Sequence, residues 1–310
     1  MRPRLVSVLT ENWTMTDPRD IRGIVRMAQE AEDAGFDMVM VSDHILLGPS
    51  AGNQGRMANP RDYAMPGNQD PATAWPSSLI LLSAIAAATT RIRVGAIALI
   101  APLRHPLVLA KDLATLDLLS EGRLVIQPTV SWHVDEYNAI GIPFNKRGRI
   151  LDEELEIWQR VWAESPASFS GDFFDFSDVF LEPKPFRPEG PPMWFGGEAV
   201  HDKIVERLVR YGSGFHPVGR VQDEDVARLK AGLAAAGRSW EEFELVGGTR
   251  VEFPDDDSCA PLGTALEEIP RQQALGFTTF CIKPSIFIDE GDKHAAFCRE
   301  VVERVDALTT

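Results

Sequence analysis

Eight times along this chain a short apolar, β-rich run gives way to a longer helical pattern, and that alternation limits the fold more than any other feature. The runs are Leu5–Leu9, Phe36–Val41, Ile92–Leu99, Arg123–Gln127, Pro192–Phe195, Gly214–Val218, Phe243–Val251 and Thr278–Ile282. The helical stretches are Pro18–Ala34, Ser77–Ala88, Leu107–Leu119, Lys146–Ala163, Glu198–Tyr211, Asp223–Ala236, Pro261–Leu275 and Asp289–Leu308. Strands apolar on both faces and separated by helices make a parallel sheet. Eight such units predict closure into a (β/α)8 TIM barrel, an α/β fold for which 310 residues is an ordinary length. A doubly wound open sheet is the competing fold, but no G-x-G-x-x-G follows the first strand.

Residues 1–310 therefore read as one barrel domain with two interruptions. Ile45–Trp75 carries Gly48, Gly52, Gly55 and Gly67 with Pro49, Pro60, Pro66 and Pro71, and has no periodicity. A loop of that length in a compact domain is more often a functional lid than a plain connection. Residues 165–191, with FSGDFFDFSDVFLEPKPF, read as an aromatic hairpin and a Pro-rich return, expected at the bottom or edge of the barrel.

A net charge of −15 argues against nucleic acid or an anionic membrane as partner, because phosphate binding needs a basic footprint. Cys259, Cys281 and Cys298 are widely spaced and form no CxxC, which points to neither a disulfide framework nor a thiolate metal site and fits the cytoplasm. The apolar stretch near the N-terminus is too short for a signal peptide, and Val94–Leu103 is about half a membrane span. Without H-x-H, H-E-x-x-H or G-x-S-x-G, the expectation is no metal and no serine hydrolase.

In a barrel of this kind the reaction face is formed by the C-terminal ends of the strands. Strand two ends Ser42-Asp43-His44, and strand three carries Gly95-Ala96-Ile97-Ala98. Strand four runs into LVIQPTVSWHVDEY (Leu124–Tyr137), and strand five ends Gly196-Gly197-Glu198. His44 is the leading candidate for proton transfer, with a strand-capping histidine as the structural alternative. Trp132 is placed to cover or stack on a ligand, and His133 is a further catalytic candidate. Gly196 and Gly197 before a helix suit an anion, although a tight βα turn also needs glycine. Together these clusters predict an aromatic, phosphate-bearing ligand. Trp13, Trp75, Trp132, Tyr63 and Phe174 offer aromatic surface for an apolar organic substrate.

The segment AAATTRIRVGAIALIAPLRHPLVLAKDLATLDLLSEGRL, followed by DEYNAIGIPFNKRGRILDEELEIWQRVW, FSGDFFDF, LEPKPF and MWFGG, is similar to the bacterial luciferase-like monooxygenase family, most of all its coenzyme F420-dependent oxidoreductase branch. The resemblance runs from about Ala31 to Phe215 and weakly beyond. It implies a (β/α)8 barrel, often a homodimer, with a flavin or deazaflavin at the strand ends. By position, His44, with Asp43 beside it, stands next to the reactive ring. Ala96, Ile97 and Ala98 form the bulge behind the ring, where the family often holds a non-prolyl cis peptide. Gly196, Gly197 and Glu198 match the phosphate-binding turn.

Strand four departs from the family pattern. Where G-x-G-x-G-W is common, this chain has Gln127-Pro128-Thr129-Val130-Ser131-Trp132, so Gln127, Thr129 and Ser131 put side chains where backbone usually meets the cofactor. Trp132 stands where the sugar-6-phosphate dehydrogenase relatives carry a catalytic glutamate, so that activity is not expected. The resemblance implies hydride transfer between F420 and a small organic substrate. The alternative cofactor is FMN, used for monooxygenation with O2 and a separate reductase, and a third reading is a non-catalytic flavin-binding barrel. The polyglutamate tail of F420 sits uneasily with an acidic protein, and Arg56, Arg61 and Lys111 are the candidates for a local basic patch.

Overall fold

The computed structural model describes residues 2–197, 200–217, 223–249 and 251–308. The first half of the barrel comprises β1 (Arg4–Val8), α1 (Ile21–Ala34), β2 (Met38–Val41), α2 (Ser78–Ala88), β3 (Arg93–Ile100), α3 (Pro106–Leu119) and β4 (Leu124–Thr129). Then come α4 (Val134–Ile140), α5 (Arg147–Ala163) and the hairpin strands β5 (Ala167–Ser170) and β6 (Asp175–Val179). The second half is β7 (Met193–Phe195), α6 (Asp202–Tyr211), β8 (Gly212–Phe215), α7 (Asp223–Ala235), β9 (Glu244–Gly248), α8 (Leu262–Leu266), α9 (Glu268–Ala274), β10 (Thr279–Ile282) and α10 (His294–Leu308). The barrel closes in the order β1-β10-β9-β8-β7-β4-β3-β2, with every neighbouring pair parallel.

Period-two alternation divides each strand between two cores. Val6 and Val8 join Met38, Met40, Ile97, Val125, Trp194, Val246 and Cys281 inside the barrel. Leu5 and Leu9 face outward into the larger layer between strands and helices. The inner set makes the barrel a filled core rather than a pore. Its lower end is sealed by charge: Arg93 grips Glu244 with two hydrogen bonds of 3.0 and 2.9 Å, and Arg4 adds an ion pair at 3.0 Å. Burial pushes the Glu244 carboxyl up, but Arg93 and the Thr279 hydroxyl outweigh it and hold the group below its ordinary range. With the bottom closed, chemistry is confined to the opposite mouth.

Helix α5 is fastened to α3 by two buried tryptophans. Trp158 and Trp162 donate their indole N–H groups to the carbonyls of Pro106 and Ala110 at 3.2 and 3.1 Å. Truncating either would cost about 3–5 kcal/mol. The hairpin β5–β6 doubles back along α5, where Glu153 accepts from the Asp172 and Phe173 backbone and Arg160 donates to Ser168. It is thus an edge packing element, and Phe174 lies against His105 rather than at the mouth.

Several boundaries differ from the sequence reading. The stretch expected as one helix over Pro261–Leu275 is split between α8 and α9, because Pro270 has no N–H to give the Leu266 carbonyl. The strand expected at Gly214–Val218 begins at Gly212 and ends at Phe215, and position 218 lies outside the described residues. Helix α6 starts at Asp202 rather than Glu198. The seven-residue helix α4 was not anticipated. Among the described residues, no helix is long and apolar enough to cross a membrane.

Candidate active site at the barrel mouth

His44 follows β2 and is 8% exposed. Its Nδ1 lies 3.3 Å from Oε2 of Glu136, a fully buried residue on α4. The other oxygen of Glu136 accepts the backbone N–H groups of Ile45 and Leu46 at 2.6 and 3.3 Å. A carboxylate at Nδ1 assigns the proton to that nitrogen and leaves Nε2 to meet a ligand. Trp75 and Trp132 flank the imidazole, with ring centroids 5.0 and 5.9 Å away.

Asp43, expected beside the cofactor, is instead committed to the protein. Arg104 donates to both of its oxygens at 2.8 and 2.9 Å, Ser78 Oγ donates at 2.8 Å and the Ile100 N–H at 3.0 Å. With four donors taken, its carboxylate is a brace between the ends of β2 and β3. Its neighbour His44 inherits that rigidity.

On β3, Ala98 is an extra residue against β4: Ile97 pairs with Gln127 and Leu99 with Pro128. The bulge is where the resemblance placed it, and the Ile97–Ala98 peptide is cis. Ala96 and Ile97 are buried in the outer and inner cores respectively, so Ala98 is the half-exposed member of the group. Bulges re-aim a strand's backbone next to active sites.

The end of β4 distributes its side chains among different tasks. Gln127 is buried, and its Oε1 accepts from His216 Nδ1 at 2.7 Å. His216, just past β8, is pushed down to about 4 by burial and is therefore a neutral imidazole with its proton on Nδ1. Thr129 and Trp132 are half-exposed. Ser131 has φ +57°, a left-handed conformation that glycine adopts far more readily than serine. Its Oγ accepts the His133 N–H at 3.3 Å, a local bond that partly offsets about 1 kcal/mol of backbone cost.

His133 is completely buried and serves the lid. Its Nε2 accepts the Gly48 N–H at 2.7 Å, and Nδ1 faces Ser50 Oγ at 3.4 Å. Burial lowers its affinity for a proton, against the pull of Glu136 and Asp135. Both ring nitrogens of this candidate catalytic histidine are thus engaged by the loop. A Cβ on Gly48 would lie 2.4 Å from that of Asp135, so only glycine permits this approach.

The Gly196-Gly197-Glu198 turn also departs from expectation. A Cβ on Gly196 would fall 1.6 Å from the His216 carbonyl oxygen, so strand packing alone requires that glycine. Gly197 is half-exposed, Glu198 lies outside the described residues, and α6 begins four positions later behind an exposed His201. The helix end therefore does not open directly from the glycine pair.

The loop 45–75 spans the mouth. On the β4 side it is held by His133, Asp135 and Glu136. Across the barrel, Asn59 donates to the carbonyls of Asp255 and Ser258, and the Ala64 N–H donates to Glu11. Lys283, two residues beyond Cys281 on the inward face, donates to the Asp62 carbonyl at 2.5 Å. Sequence reasoning missed Glu136, His216 and Lys283. The three cations proposed as a patch are dispersed: Arg56 pairs with Asp70, Arg61 with Asp257, and Lys111 bonds the Glu182 carbonyl on the outside of α3.

Residues 3–261 match the model of a family described as luciferase-like monooxygenase. An uncharacterized protein of Mycobacterium tuberculosis is 33% identical over 214 residues, 68% of this chain and 73% of that protein. The F420-dependent glucose-6-phosphate dehydrogenase of Amycolatopsis mediterranei is 25% identical over 297 residues, 93% of this chain and 76% of that enzyme. The FMNH(2)-dependent dimethylsulfone monooxygenase of Pseudomonas putida is 29% identical over 177 residues, 56% of this chain and 43% of that enzyme. Among solved structures, the monooxygenase RslO1 of Streptomyces bottropensis superposes with a TM-score of 0.75 at 18% identity, covering 99% of this chain and all of that one. An F420-dependent secondary alcohol dehydrogenase in complex with an F420-acetone adduct gives 0.72 at 16% identity, covering 98% and 99%. At those identities the two structures establish the shared fold.

Proposed function

This chain belongs to the luciferase-like monooxygenase family, and we propose that it is a coenzyme F420-dependent oxidoreductase moving a hydride between the deazaflavin and a small organic substrate. The coarser assignment, an oxidoreductase of the flavin or deazaflavin kind, rests on the family as a whole. The observation that carries the finer one is the His44–Glu136 pair at a strand end of the mouth. Hydride transfer to or from an oxygen-bearing carbon needs a proton moved at that oxygen, and an oriented imidazole does this. The F420-dependent relative also aligns over 93% of this chain, against 56% for the FMNH(2)-dependent one.

The residues at the mouth suit a flat, carbonyl-bearing ring system. Among the described residues, the buried indole N–H of Trp75, beside His44, has no hydrogen-bond partner, and neither do the buried hydroxyls of Thr249 and Ser285 after β9 and β10. Unpaired buried donors of this kind favour a ligand that supplies acceptors. Ala98, Thr129, Ser131 and Gly197 would form the wall and rim of that seat. When bound, a deazaflavin supplies the hydride donor or acceptor. His44 Nε2 holds or gives the proton, Glu136 fixes its direction, and Trp132 and the lid exclude water.

The runner-up is an FMN-dependent monooxygenase using O2 and a separate reductase, favoured by the dimethylsulfone monooxygenase relative. A cytoplasmic homodimer belongs to the same proposal: Ile80 on α2 and Val108 and Leu119 on α3 are 74%, 59% and 46% exposed, an apolar face a second copy would cover. The test of the catalytic assignment is His44→Ala. It should bind F420 as the parent does and lose reduction of every acceptor the parent reduces. Unchanged turnover would remove His44 from the chemistry.

A further inference from the structure

Lys283 is completely buried at the mouth, yet its ammonium makes one hydrogen bond, to the carbonyl of Asp62 in the lid. Among the described residues it forms no ion pair. The ring faces of Tyr63 and Trp13 lie 5.3 and 5.8 Å away, and the carboxylates of Glu11 and Asp62 are near it without forming an ion pair. Strand alternation places it on the inward face above Cys281, between the filled barrel core and the lid. Lysine is rarely buried without a carboxylate partner, and aromatic faces replace only part of its lost hydration. Among the described residues, two of its three donors therefore have no acceptor.

Trp13 also meets Trp75 edge-on at 5.4 Å, and Trp75 meets His44 at 5.0 Å. A continuous aromatic wall thus runs from the Lys283 ammonium to the imidazole. We propose that Lys283 anchors a carboxylate on the substrate, so that this enzyme acts on a small organic monoacid whose apolar body lies along Trp13 and Trp75 with its reacting carbon near His44. The assignment rests on reading the mouth as the active site, but not on which cofactor occupies it. A single ammonium between aromatic rings matches one negative charge. A phosphate dianion calls for several cations or N–H groups, and the carboxylates of Glu11 and Asp62 nearby oppose a second charge.

Burial lowers the Lys283 ammonium to about 8, so it stays protonated at neutral pH. Glu11, Asp62, Tyr63 and Cys281 face the same region, and burial raises both the Tyr63 phenol and the Cys281 thiol away from that range.

The test is calorimetric titration of the cofactor-free protein with benzoate, with benzyl alcohol as the neutral counterpart, and with inorganic phosphate. The parent should prefer benzoate over benzyl alcohol by about tenfold or more. Lys283→Met should abolish that preference while binding benzyl alcohol as before, which also shows that its mouth is intact. Lys283→Arg should retain part of it, and the preference should fall as pH passes about 8. Equal benzoate binding by the parent and Lys283→Met, or no benzoate binding by the parent in the millimolar range, would overturn the proposal. Displacement of benzoate by phosphate would overturn the carboxylate assignment. Failure of the protein to bind F420 would strike the functional reading alone, since no titration here contains cofactor.

Discussion

Oε2 of Glu136 lies 3.3 Å from Nδ1 of His44, across 92 positions of sequence, while its Oε1 holds the first two backbone N–H groups of the lid. One carboxylate therefore aims the candidate proton-transfer group and closes the loop above it. Glu136→Gln would keep the shape and weaken both tasks, because a neutral amide accepts less strongly and presents an N–H₂ to one partner. Losing a charge-assisted hydrogen bond of about 2 kcal/mol corresponds to roughly 30-fold in turnover. We expect kcat to fall by about that factor, with cofactor affinity within a few-fold of the parent. A parental kcat would mean that Glu136 does not orient His44.

Asp43 is predicted to matter for stability. Its side chain is 1% exposed and that of Arg104 18%, so Asp43→Asn removes the hydrogen-bonded counter-ion of a largely buried cation. The expected loss is about 3 kcal/mol, read from urea unfolding. Cofactor affinity measured on the remaining folded protein should be unaltered, and a selective loss of affinity at unchanged stability would restore Asp43 to the binding site.

The lid should loosen in acid. Burial lowers the pKa of His133 in the fold, so the unfolded or opened state binds a proton first as pH falls. Its stabilising contacts with Gly48 and Ser50 are present above the ordinary histidine range near pH 6.5 and are lost as pH drops through the lowered folded value. Limited proteolysis within residues 45–75 should therefore accelerate below about pH 6.5. His133→Ala should be cut readily at every pH. A parent cleaved equally at both ends of that range would contradict the assignment.

Glu154 on α5 offers the opposite sign. It is fully buried, both oxygens lack a hydrogen-bond partner among the described residues, and burial raises its carboxyl well above the usual range despite Arg104 nearby. The protonated form is the one that fits the fold. Its contribution is full below the unfolded carboxylate value and is lost as pH rises toward the raised folded one, by about 1.4 kcal/mol per unit between them. Glu154→Gln removes that slope. Urea unfolding at about pH 6 and pH 8 should show the parent losing more stability than the variant, and parallel losses would show that Glu154 is ionised in the fold.

The barrel was legible because most strands are apolar on both faces and the longer helices carry start and stop signals, as with Asp20 accepting from Gly23 and Gly35 closing α1. The Gly/Pro content of residues 45–75 located the lid, whereas the Ala98 bulge was placed by the family resemblance alone. What local signals could not convey is which distant residue takes a side chain's hydrogen bonds. Asp43 read as a ligand contact because Arg104, 61 positions on, was not visible beside it. Gln127 meets His216 across 89 positions, and Lys283 lay hidden in an apolar strand end. Helix α4 is only seven residues long, too short for a periodic signal, and it carries the carboxylate that orients His44.

The most direct measurement is a fluorescence-quenching titration of cofactor-free protein with F420 and FMN in parallel, at low and physiological salt. An F420-dependent enzyme predicts tight F420 binding, weak FMN binding, and an F420 affinity that rises with salt if the acidic surface repels the polyglutamate tail. Preference for FMN would make the chain a flavin monooxygenase candidate, and binding of neither would mean that Gln127 and its neighbours have closed the site.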